Sequence, residues 1–244
     1  MKRSLNLFIL TLSALNLFAQ KEATWWYFGN NAGISFTGTN GAPVVQTNGR
    51  MSNFEGVASI SNSKGGLLFY TDGERVYNKQ HNVMINGGSG GTDVRLLGHN
   101  SATQSAVIVQ QPVRGERYWI FTVTENWGNN GFNYSVVDTS LNGGNGQVIQ
   151  KNIPLLTKNF NNKNAPEKMA AVKHANRVDT WIVNHTGGDN NFYMYKLTSK
   201  GLNAPIVQAI GPTWAMTGTG AIGYSKGYMK FSPDGTKLIC AIAG

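Results

Sequence analysis

A chain of 244 residues with 14% charged residues, thirty Gly, eleven Phe, nine Tyr and six Trp describes short aromatic-rich strands joined by tight turns, and argues against a helical bundle or a disordered chain. Its formal charge of +9 is spread over single cations and pairs with no run of five, which argues against the clustered footprint of a nucleic-acid binder. Cys240 is the single cysteine, so no internal disulfide can form and packing must hold the fold.

Residues 1–19 stand apart. Lys2 and Arg3 precede a mostly apolar stretch from Leu5 to Phe18, and Ala19 stands at a candidate cut, the pattern of a secretory signal peptide. The apolar core is shorter than the ~20 residues that span a bilayer, so the expected product, residues 20–244, has no membrane span. Losing Lys2 and Arg3 leaves 19 basic against 12 acidic residues, a charge of +7.

Strands are predicted next at residues 24–29, 33–37 and 44–46. A meander follows at 57–60, 67–70 and 75–77, whose apolar runs are broken by Ser, Asn, Asp and Gly clusters. The glycine loop 87–91 lacks the Lys-Ser or Lys-Thr and the helix of a phosphate cradle, and reads as a flexible connection. A second unit has strands at 106–109, 118–123, 132–138 and 147–153. A third repeats the order at 169–173, 180–184, 191–197 and 206–210. A fourth starts at 228–231, turns at Ser232-Pro-Asp-Gly235 and runs through 237–242. The uninterrupted apolar character of 118–123 is that of a strand buried on both faces.

Leu68, Ile120, Ile182 and Leu238, one in each middle strand, lie 52, 62 and 56 residues apart. A period of that size with four strands per unit predicts an all-β fold, a β-propeller whose blades fall near 53–95, 101–153, 167–211 and 227–244. Counted this way the chain holds about three and a half blades, an open arc expected to be the front part of a longer protein. The strand at 25–28 would then be half of a ring closure.

Several segments carry a resemblance: WWYFGNNAGISF (25–36), EGVASISNSKGGLLFYTDGERVYNKQHNVM (55–84), LLGHNSATQSAVIVQQP (96–112), RYWIFTV (117–123), NYSVVDTSLNGGNGQV (133–148), EKMAAVKHANRVDTWIVNH (167–185) and YMKFSPDGTKL (228–238). Together they resemble the amino-terminal propeller of large secreted Bacteroidetes proteins that end in a gliding-motility-associated, type-B sorting domain for type IX secretion. That resemblance implies export to the cell surface; this sequence carries no such sorting domain, and a periplasmic short form is the alternative.

No catalytic motif appears. His81, His99, His174 and His185 show no i, i+3 or i+4 pair, so no metal site is predicted. His174 and His185 end neighbouring strands and are candidates for a shared binding site, or for strand-end hydrogen bonds. Glu55 and Glu167 each precede an innermost strand and are weak candidates for the paired carboxylates of a glycosidase; binding of turn amides or of a lysine such as Lys168 is the alternative. Ser105 lacks a nucleophile elbow, and Thr103-Gln104-Ser105 reads as a hydrogen-bonding, channel-face segment. Trp127 and Trp214, on glycine-rich loops, are candidate contacts to carbohydrate or protein, or they pack over a blade edge. The expected function is a non-enzymatic, cofactor-free binding or scaffold module whose partner is a protein or glycan at the cell surface. An extracellular polysaccharide hydrolase and a periplasmic envelope component are the alternatives.

Overall fold

The computed structural model describes residues 21–125, 128–156, 167–187, 189–213 and 226–241. The expected signal peptide, Trp127 and Trp214 lie outside the described residues.

The fold is all-β, and the described residues build five antiparallel sheets taken up in chain order. Sheet I holds β1 (Trp25–Phe28), β2 (Ala32–Ser35) and β3 (Val44–Gln46). Sheet II holds β4 (Ala58–Ser61), β5 (Leu67–Thr71) and β6 (Val76–Asn78). Sheet III is a four-stranded meander of β7 (Ala106–Gln110), β8 (Arg117–Val123), β9 (Phe132–Asp138) and β10 (Gln147–Leu156). Sheet IV runs β11 (Met169–Lys173), β12 (Thr180–His185), β13 (Asn191–Thr198), with both β14 (Gly201–Leu202) and β15 (Ile206–Ala209) on the far side of β13. Sheet V pairs β16 (Met229–Phe231) with β17 (Leu238–Cys240).

The two-residue period of a strand explains how the sheets stack. In β8, Tyr118 and Ile120 turn to one face and join Phe69, Val76 and Ala106 in the core between sheets II and III. Trp119, Phe121 and Val123 turn to the other and join Met169, Ile182 and Leu197 in the core between sheets III and IV. A strand feeding two cores is apolar along nearly its whole length, which is the run seen in the sequence, and the Thr122 that interrupts it is itself buried. Burying five such side chains is worth roughly 8–15 kcal/mol of gross hydrophobic stabilisation before chain entropy. The same division recurs on either side: Phe69 and Val76 face sheet III while Tyr70 and Tyr77 face sheet I, and Ile182 faces sheet III while Val183 faces Met229 of sheet V.

The first strand of each sheet contacts the first strand of the next, β1 with β4, β4 with β7, β7 with β11 and β11 with β16. Five first strands therefore share one edge of the stack. Cys240 packs against the small core between sheets IV and V, where burial raises its thiol pKa.

One expectation is corrected. A uniform count of four strands per unit holds for sheet III and not for sheet II, where the fourth position shrinks to a single bridge, Tyr77 to Val83. The cause is local: the Asn78 carboxamide accepts from the amides of Gln80 and Asn82, and His81 takes a left-handed φ of 65°. The chain thus returns after a tight Asx-type turn and leaves again at Gly87 and Gly88 before a strand can extend.

Candidate functional site

The concave pocket at the shared edge has a volume of about 450 Å³ and lies where β1, β4 and β7 meet Tyr228. Its wall begins with β1. In that strand Tyr27 turns inward, stacking on Tyr70 with ring centroids 4.5 Å apart, so alternation sends Trp26 and Phe28 to the opposite face. Trp26 is 50% exposed, Phe28 36% and Tyr228, just before β16, 58%. Three large rings left in water on one concavity are unusual for a surface with no partner.

Polar groups sit among them. Glu55 lines the pocket and is exposed; its Oε1 meets the Ser101 hydroxyl at 3.4 Å. Gln104 also lines it, held across the edge by Met229, whose N–H donates to Gln104 Oε1 at 2.8 Å while Gln104 Nε2 donates to the Met229 carbonyl at 3.3 Å. Thr103 completes this side.

Glu167 does not line the pocket. It is 1% exposed, and its Oε2 accepts from both the Thr103 N–H and the Thr103 hydroxyl at 3.0 Å. The next residue, Lys168, also 1% exposed, donates from Nζ to the carbonyls of Lys226 and Ala241, each at 3.0 Å. In extended backbone neighbouring side chains diverge, so this pair reaches back to sheet III and forward to sheet V. Burial lowers the Lys168 pKa, with the charges of Cys240 and Glu167 opposing the shift. The two candidate carboxylates are therefore placed differently, one solvent-facing in the pocket and one inside an inter-sheet clasp.

The two candidate histidines lie apart. In the β11–β12 pairing Lys173 opposes Thr180 and Met169 opposes Asn184, so His174 and His185 stand at opposite ends of one hairpin, about six residues or ~20 Å apart at ~3.4 Å per residue. His174 Nδ1 accepts from the Asn176 N–H. His185 is buried edge-on to Phe192; burial and the nearby Lys168 charge push its pKa down to about 4.

Ser105, expected on the channel face, is fully buried instead. Its hydroxyl donates to the Asp72 carbonyl at 2.9 Å and accepts from the His99 N–H at 3.3 Å. The glycine loop is organised by its own carboxylate: Asp93 Oδ2 accepts from the amides of Gly88 and Ser89 and from the Ser89 hydroxyl. Those amides are occupied from within, which agrees with the absence of a cradle motif and replaces flexibility with internal order.

Sequence reasoning missed Trp26, Phe28 and Tyr228 as site residues. For Trp26 and Phe28 a signal existed in the run of four aromatic residues 25–28, because a two-residue period leaves two of the four rings off the core face. Gln104 fell within the hydrogen-bonding segment 103–105, but its partner Met229, 125 residues away, had no signal. Among the described residues no group of three or more His, Cys, Asp or Glu side chains gathers as a metal site, and no helix is long and apolar enough to cross a membrane. Comparison with protein-family models, curated proteins and solved structures returned no match.

Proposed function

We propose that this chain is a non-enzymatic, exported binding module, an arc of β-propeller blades that holds carbohydrate at the edge shared by its first strands. The stacking of successive sheets with their first strands adjacent supports the propeller reading. The leader pattern of residues 1–19 and the resemblance to secreted Bacteroidetes propellers support a cell-surface location. The observation that carries the function is the trio of partly exposed rings, Trp26, Phe28 and Tyr228, set beside the Glu55 carboxylate in one concavity. Flat apolar faces match the C–H faces of sugar rings, and a carboxylate and an amide supply hydroxyl partners.

A hydrolase would need a second carboxylate at the sugar, and Glu167 is engaged elsewhere. Binding to a glycan array, with Trp26→Ala alongside the native chain, tests the proposal. Binding without turnover that weakens about tenfold or more in Trp26→Ala is expected, since one aromatic contact is worth ~1–3 kcal/mol. Release of reducing ends, or a native chain silent on every glycan, would overturn it.

A further inference from the structure

A second concavity of about 600 Å³ lies beside the first. Lys21 and Lys64 stand in its wall with Phe36, Thr37 and the backbone of Gly38 and Gly41. The two concavities are joined by an aromatic bridge: Trp26 lines the first, Phe36 the second, and their rings meet edge to face with centroids 5.3 Å apart. Trp26 Nε1 donates to the carbonyl of Ala23, itself in the wall of the second concavity, so the bridging ring is pinned. Phe36 is 38% exposed, and the bridge presents a continuous apolar face. Among the described residues neither Lys21 nor Lys64 forms an ion pair, whereas Arg95, Arg117 and Lys151 each do. Glu22 follows Lys21 in sequence but does not line the cup.

We infer that the two concavities form one groove for an acidic polysaccharide, with a neutral sugar on the rings of the first and a carboxylate or sulfate group in the lysine cup of the second. The inference rests on the carbohydrate reading above and adds the class of polymer. Charge divides the groove: Glu55 disfavours an anionic group in the first concavity, while Lys21 and Lys64 favour one in the second. Two exposed lysines lining one cup, flanked by an aromatic face, match a polymer in which acidic and neutral sugars alternate. The overall positive charge of the chain would assist encounter with such a polymer.

The test titrates the full chain with two probes, hyaluronan, in which an acidic and a neutral sugar alternate, and a neutral glucan, at about 0.05 M and about 0.5 M salt, where screening differs severalfold. Hyaluronan is expected to bind about tenfold or more tighter at low salt and to lose most of that margin at high salt. Lys21→Gln with Lys64→Gln should remove the margin and leave binding of the glucan unchanged. Lys173→Gln with Lys200→Gln, which removes the same charge elsewhere, should leave both unchanged. Equal binding of the two polymers, or equal loss from both lysine pairs, overturns the inference while the carbohydrate reading stands. Failure of both polymers to bind counts against that reading and removes the inference with it.

Discussion

The junction between sheets II and III and the junction between sheets IV and V join the same kinds of elements in opposite ways. The first is closed by backbone. A Cβ on Gly56 would lie 2.1 Å from the Ser105 nitrogen, one on Gly73 would lie 1.9 Å from Ser105 Oγ, and one on Gly98 would lie 2.5 Å from the Gly73 carbonyl oxygen. Three loops therefore meet at distances only glycine allows, with the buried Ser105 hydroxyl at the centre. The second junction is closed by long side chains: Lys168 spans to Lys226 and Ala241, and Gln104 grips Met229 from sheet III. Its apolar core is small, centred on Ala170, Val183 and Met229. One junction is rigid and intolerant of volume. The other depends on charge and reach, so it responds to pH and to single polar substitutions.

The largest break in this contrast should come from Gly56→Ala or Gly73→Ala. Each forces backbone or a buried hydroxyl aside, and Gly73 has a φ of +87° besides; a loss of about 3 kcal/mol or more is expected in denaturant unfolding. Alanine at Gly115, whose Cβ would meet nothing within 4 Å, should change stability by less than about 0.5 kcal/mol.

Acid should act on the other junction. The buried His185 has a folded pKa of about 4 against ~6.5 when unfolded. Its contribution is therefore complete above pH 6.5 and lost as the pH falls toward 4, by up to about 3 kcal/mol. Stability measured across that window should fall in the native chain and flatten in His185→Gln; an unchanged slope in the variant would assign the acid sensitivity elsewhere.

A smaller and more local effect is expected of Lys168→Met, which keeps the apolar stem and leaves the carbonyls of Lys226 and Ala241 without the ammonium. We expect a loss of about 2 kcal/mol with early hydrogen exchange in β16 and β17 and unchanged protection in β8. Uniform loss of protection through all sheets would show that the clasp is not specific to sheet V. Ser105→Ala, at the glycine junction, should cost about 1–2 kcal/mol by leaving the Asp72 carbonyl without its donor.

Much of the strand pattern was legible because a strand encodes its own burial every second residue. Tyr118-Trp-Ile-Phe-Thr-Val123 announced two buried faces, and the structure supplies a core for each. The shortened fourth strand of sheet II was not legible, because it turns on the Asn78 cap and the left-handed His81 rather than on apolar content. Nor were the roles of Glu167 and Lys168, which as a dipeptide suggest a mutual pair but pull toward different sheets. The pocket itself is a long-range product: Trp26 and Tyr228 come together only through the order in which five sheets stack, and no local period records that order.

In the proposed reading Trp26 and Tyr228 act in a single carbohydrate site. A double-mutant cycle of Trp26→Ala and Tyr228→Ala, read as affinity for the best-binding glycan, measures this. Two rings on one ligand should show a coupling of about 0.5 kcal/mol or more. Strictly additive losses, or no loss from either substitution, would contradict it.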